Sequence, residues 1–258
     1  MVEFTTQQLY GLVTAYFWPL VRILGLFTSA PFFSNRSVPG QVRVALGTAM
    51  TFIIAPNLPP FPEQDPLSWT GILIVIQQFL IGISIGFTMR LIFTGIELAG
   101  EMIGMTMGFG FATFFDPQSQ GRSSSLSQIL SLLTMLFLIT GNFHILLIEC
   151  LVESFKTLPI GEATLNKNSF KQLALWGGEI FFTGLQLSMP IVTALFIINM
   201  ALGILTRAAP QLNLFGIGFP ITLLTGLLMF DLMLPYWSIP LLDYVQNGIN
   251  MIKQLIQI

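Results

Sequence analysis

Apolar residues run along this chain in long blocks that charged side chains border and seldom enter. Stretches 4–21, 44–62, 66–89, 123–148, 180–206 and 208–230 contain no Lys, Arg, Asp or Glu. A helix needs about 20 apolar residues to cross a bilayer core, so four of these stretches are long enough outright and two are borderline. The pattern predicts an all-α, polytopic, membrane-associated chain.

Prolines divide the pattern into six segments and a tail. The first runs from about Leu9 to Ala30 and carries Pro19 and Arg22 inside it. The second, about Gln41 to Ala55, stops at Pro56 and is too short to span. The third, Leu67 to about Gly108, is roughly 60 Å long if helical, more than any bilayer core, so part of it lies outside or the helix breaks. The fourth covers about Leu126 to Phe155. The fifth, about Leu173 to Thr206, contains Pro190, where a missing donor predicts a kink or a split into halves. The sixth lies between Pro210 and Pro235 and contains Pro220. In the tail, Leu241, Val245, Ile249, Ile252 and Ile256 recur at helical spacing and predict an amphipathic helix docked on an apolar surface. Kinked helices and helical hairpins are the expected architecture.

Composition agrees with the pattern and removes several functions. The 258 residues hold 10 basic and 12 acidic side chains and 24 phenylalanines, and the net charge is −2. No cluster of Lys or Arg offers nucleic acid an electrostatic footprint. One cysteine and one histidine leave little for a disulfide framework, a metal centre or most enzyme mechanisms. No cofactor, no metal and no catalysis are expected. Counting basic residues in alternate loops gives Arg36, Arg43, Arg90, Arg122 and Arg207 on one side against four lysines on the other, which decides no orientation. That tie, with one segment too short and another too long, suggests that the helices do not all sit as conventional spans and that partner proteins cover some of them.

Three groups of residues stand out. Gly82 with Gly86, and Gly100, Gly104 and Gly108, form small-x-x-x-small steps that admit a close backbone, either within the chain or from a partner. Arg90, Glu97 and Glu101 fall within about 40° on one helix face. A buried stripe of this kind demands counter-charges, so Arg22, Arg90, Glu97, Glu101 and Arg207 are assigned to structural ion pairs, Arg207 being placed also to cap the carbonyls ending the fifth segment, with a proton or cation pathway as the rival for the stripe. Finally, Met107, Gly108, Phe109, Gly110, Phe111, Phe114, Phe115 and Asp116 belong to a glycine- and phenylalanine-rich stretch that is too apolar for water and too glycine-rich for a rigid helix. Such a stretch is expected to pack within protein or to line a closed cavity.

The motifs FGFATFFDP at 109–117 and LTRAAPQLNLFGIGFP at 205–220, with PLVRILGLFTSAPFFSNRSVPGQVRVALG at 19–47, closely resemble the FliR/SctT family of type III export-gate proteins. The similarity covers essentially the whole chain and is nearer the flagellar than the injectisome branch. The resemblance implies a single export-gate domain over 1–258, FliP-like over about residues 1–172 and FliQ-like over about residues 173–258. It implies one copy in a gate built with FliP and FliQ, FlhB near its cytoplasmic side and FlhA below. Unfolded flagellar proteins would pass through that gate, at the basal body in the bacterial inner membrane, with the helices raised largely above the membrane plane. The family's plug would fall on the stretch from Met107 to Asp116. Without the resemblance, broken helices at Pro190 and Pro220 and the charged stripe favour a secondary transporter or channel for a small solute or ion.

Overall fold

The computed structural model describes residues 6–35, 38–58, 64–109, 125–161, 167–209 and 214–256. Among these there is no strand, and the chain is an all-α membrane protein. Its helices are α1 (Thr6–Ser29), α2 (Gly40–Ile54), α3 (Trp69–Met107), α4 (Ser125–Thr140), α5 (Phe143–Thr157), α6 (Lys167–Trp176), α7 (Glu179–Ala208), α8 (Phe219–Met233) and α9 (Ser238–Ile256). Three stretches are long and apolar enough to cross a membrane: Trp69–Met107, Lys167–Ala208 and Gly216–Ile256. A fourth arises if the bent pair α4 and α5 counts as one span.

Two compact units share the chain. The first comprises Met1–Leu91, Leu138–Gly177 and Gln246–Ile258. Here α1 and α2 pack together, with Gly47 of α2 against Leu20 and Leu24 of α1 and the Tyr16 and Phe52 rings 4.9 Å apart. α2 ends in a 3-10 turn, Ala55–Asn57, where Pro56 cannot continue an α-helical bond. α3 begins after Ser68, whose Oγ accepts the Gly71 N–H at 3.0 Å and so satisfies one of the donors a helix start leaves free. Trp176 of α6 donates from Nε1 to the Thr88 carbonyl at 3.3 Å.

The second unit comprises Ile92–Phe137 and Gly178–Val245. It holds the C-terminal part of α3 with α4, α7 and α8. α7 starts on Glu179 and has Arg207 in its last turn, each charge opposite in sign to the helix dipole at its end. The Phe230 and Trp237 rings meet edge to face at 5.4 Å and close the end of α8.

The third segment is one unbroken helix of 39 residues, so of the two readings of its length the break falls away. Two other expectations from the pattern change. The fourth segment breaks between α4 and α5 at Gly141 and Asn142. Asn142 has a φ of 58°, and asparagine reaches the left-handed region at less cost than other side chains. Pro190 does not split α7, which runs through it; the interruption comes earlier, at Gly177 and Gly178. A proline removes one helical donor, and long flanking helix on both sides keeps the rest of the ladder in place. The sixth segment is helical close to its expected bounds: a π-helix over Leu214–Gly218 runs directly into α8, and Pro220, which lacks an N–H, lies just after that change of helix type.

α9 carries the predicted stripe. Leu241, Val245, Ile249, Ile252 and Ile256 are all buried within the chain itself, and Asp243, Asn247, Asn250 and Lys253 are exposed.

Candidate functional site

Four glycines of α3, Gly82, Gly86, Gly95 and Gly100, mark where another helix comes close. In the first unit Gly82 and Gly86 face α1: a Cβ on Gly82 would collide with the Arg22 carbonyl and lie 2.9 Å from the Leu26 nitrogen, and one on Gly86 would collide with Ser29. Gly25 of α1 answers from the other side, with a Cβ there 2.6 Å from the Phe79 carbonyl oxygen. Real Cβ atoms do not come so near backbone, so the two helices touch because all three residues are glycine. Ser29 Oγ donates across this seam to the Ile83 carbonyl at 3.1 Å.

In the second unit three further helices meet α3 at small residues. Gly95 faces Thr183 of α7, and Gly184 of α7 faces Leu98 in return. Gly100 faces the backbone of Ser127 at the start of α4, with a Cβ there 2.5 Å from Ser127 Cα. Ser127 Oγ donates to the Glu97 carbonyl at 2.8 Å. Gly104 is buried. At the end of the helix, the fully buried Met107 side chain lies against Gly226 of α8, and Thr222 Oγ1 of α8 donates to the Met107 carbonyl at 3.2 Å.

Gly108 follows with φ of 97°, and its N–H bonds the Met105 carbonyl at 3.1 Å. That left-handed conformation after the last helical residue ends α3 and favours glycine. Phe109 is half-buried. Gly110, Phe111, Phe114, Phe115 and Asp116 lie outside the described residues.

The charged residues divide. Arg22 is fully buried, and each of its five donors meets a neutral acceptor. Nε and Nη2 both donate to Gln78 Oε1, the former at 2.8 Å. Nη1 donates to the Ser154 carbonyl and hydroxyl at 2.7 and 3.0 Å, and Nη2 also reaches the Leu158 carbonyl at 2.8 Å. The Phe155 ring lies 4.3 Å from the guanidinium carbon and adds a cation–π contact. The expected ion pair at Arg22 is thus replaced by a cap. Ser154 and Leu158 lie at the C-terminal end of α5: the Leu158 carbonyl follows the last helical residue, the Ser154 carbonyl accepts the Leu158 N–H at 2.9 Å as well as the guanidinium, and the dipole is negative there, so a guanidinium is stabilised without a carboxylate.

Arg90 is exposed in the chain and donates to Ser34 Oγ at 3.2 Å. Glu97 and Glu101 are half-buried, and Ser131 Oγ donates to Glu97 Oε1 at 3.2 Å. Arg207 is exposed at the end of α7. Sequence reasoning did not find Gln78, Ser154, Gly25, Gly184, Thr222 or Gly226. The one signal each carried was to be a small or polar residue inside an apolar run.

The geometry on both units is that of a packing scaffold, with close backbone contacts between helices and side-chain hydrogen bonds to neighbouring carbonyls. Residues 13–248 match the family model described as bacterial export proteins, family 1. The chain is 44% identical over 235 residues to the flagellar biosynthetic protein FliR of Escherichia coli K12, covering 91% of this chain and 90% of that protein. It is 29% identical to the protein of the same name from Bacillus subtilis, over 86% of this chain and 87% of that one. For the protein of that name from Aquifex aeolicus the identity is 28%, over 100% of this chain and 98% of that one. The chain therefore belongs to the bacterial export proteins of family 1, and within them to the FliR family of flagellar biosynthetic proteins.

Proposed function

We propose that this chain is a core subunit of the flagellar type III protein export gate, forming with FliP and FliQ the channel entrance through which unfolded flagellar proteins are exported. Family membership and the names of its relatives support the role in flagellar export. The observation that carries the assembly is the outer face of α7. Phe181, Phe196, Ile197, Met200 and Ile204 each expose more than half of their surface, and Met189 joins them on the same half of the helix. Apolar surface on that scale belongs against lipid or other protein. FliP and FliQ supply apolar helices for it.

In this reading one copy of the chain completes the gate at the basal body in the inner membrane, with its helices raised largely above the membrane plane. FlhB contacts its cytoplasmic side and FlhA lies below. The part over about residues 1–172 takes the place of a FliP subunit, and the part over about residues 173–258 that of a FliQ subunit. Met107 to Asp116 form the plug. The role needs no cofactor and no catalytic step.

The test is to express the tagged chain with and without FliP and FliQ and to weigh the particle purified in mild detergent. A hetero-oligomer containing one copy is expected. A lone monomer or a homo-oligomer in the presence of both partners would overturn the proposal.

A further inference from the structure

The carbonyl of Met107 is the last helical acceptor of α3 before the chain turns at Gly108 into the glycine- and phenylalanine-rich stretch. Two residues of α8 grip that point. Thr222 Oγ1 lies 3.2 Å from the Met107 carbonyl and 3.0 Å from the Phe219 carbonyl of its own helix, so its single proton is shared between them. One turn on, Gly226 leaves a notch that the Met107 side chain fills, with Cγ and Cε each 2.5 Å and Sδ 2.9 Å from where a Cβ on residue 226 would stand. Thr222 is buried, and Met107 has no exposed surface.

We propose that Met107, Thr222 and Gly226 form a peg-and-notch latch by which α8 fixes the point and direction at which the chain leaves α3. Thr222 and Gly226 are positioning residues. Neither belongs to the stretch whose root they hold, and more than 110 residues separate them from Met107. The two contacts complement each other. The notch sets how close α8 approaches, because any side chain at 226 would displace the peg. The hydroxyl sets the rotation of the last peptide of α3, because it binds an acceptor that a helix end otherwise leaves to water. Gly108, at φ of 97°, then turns the chain in a direction that other L residues reach only with strain. A displacement of α8 would be carried to residues 108 and 109 through these atoms. This device goes beyond the gate reading and rests on it only for what the latch serves.

The experiment measures amide hydrogen exchange over residues 103–109 in the complex with FliP and FliQ, together with ion leakage of the same complex in vesicles. Thr222→Val should speed exchange at this helix end by roughly fivefold, the size expected for one hydrogen bond, with the middle of α3 unchanged. Thr222→Ser should keep the parental rate. Gly226→Leu should speed exchange as well, and adding Met107→Ala should return it toward the parental rate by vacating the notch. Parental exchange in Thr222→Val, or no recovery in the Gly226→Leu, Met107→Ala pair, would overturn the latch. Faster exchange with unchanged ion tightness would keep the latch and count against the plug.

Discussion

Gln78 and Arg22 meet through a single oxygen: Oε1 of Gln78 accepts from both Nε and Nη2 of the guanidinium. The Gln78 side chain is wholly buried, and its Nε2 has no partner, because the charge of Arg22 holds the amide oxygen toward it. Gln78→Leu should therefore cost about 3 kcal/mol or more, since two hydrogen bonds to a buried charge are lost together. Gln78→Glu should be tolerated, as it offers a carboxylate in the same place and removes the orphaned donor. Thermal unfolding of the detergent-solubilised complex distinguishes the two. A leucine variant as stable as the parent would show that Arg22 does not depend on Gln78.

Arg22→Lys should be nearly as damaging as Arg22→Met. Five donors fan from one plane to Gln78, Ser154 and Leu158, and an ammonium offers three donors from one atom. Each change should lower the unfolding temperature by several degrees. Full stability in the lysine variant would mean that charge alone is needed at the end of α5.

Much of the fold could be read from residue order, for physical reasons that differ by element. The stripe of α9 was legible because one element repeats it over five turns, and each of its five apolar positions is buried. α3 was legible because no charge or proline interrupts 66–89 except Pro66 at its head. The partner of Arg22 was not legible, since Gln78 is 56 residues away and Ser154 is 132. Only the approach of three elements brings them together. The break before α7 was misplaced for a different reason: proline is the stronger signal locally, yet Gly177 and Gly178 lose more entropy on ordering and lie at the end of an apolar run. At the root of the glycine- and phenylalanine-rich stretch, Met107 and Gly108 stood out in sequence. Thr222 and Gly226 did not, because a threonine and a glycine in an apolar helix are unremarkable until something is seen against them.

The seam between α1 and α3 should be intolerant of any side chain. Gly82→Ala places a Cβ against the backbone of Arg22 and Leu26, which cannot yield as a side-chain tip can. A cost of about 1–3 kcal/mol is expected from overpacking. Gly203, in α7, has nothing within 4 Å of its missing Cβ, so Gly203→Ala should leave stability unchanged or raise it by up to about 1 kcal/mol. Comparison of the two midpoints in the same detergent checks the pair. Equal effects would show that the seam is looser than its geometry.

Phe109, Phe111, Phe114 and Phe115, replaced together by Ala, should leave co-purification with FliP and FliQ intact and raise passive ion leakage through the complex. Each phenylalanine supplies roughly 1.5–3 kcal/mol when buried, enough for a cluster of four to exclude water from a narrow passage. Vesicle conductance gives the measurement. Complexes as tight as the parent would assign these side chains to packing alone.

α9 offers the cleanest separation between the two faces of one helix. Ile252 has no exposed surface and Lys253 beside it is exposed, so their environments differ although their backbone does not. Ile252→Ala should remove buried methylene groups and leave a cavity, at a cost of about 2–5 kcal/mol. Lys253→Ala should change stability by no more than about 0.5 kcal/mol, because an exposed charge contributes little. Ile252→Asp should be worse than the alanine, since a carboxylate would be desolvated at a position with no exposed surface. Thermal unfolding in mild detergent, with and without added anionic lipid, resolves what the apolar face rests on. If it packs on the chain itself, the cost of Ile252→Ala is the same in both conditions. A cost that grows with lipid and vanishes without it would mean that the helix is held by the membrane surface instead.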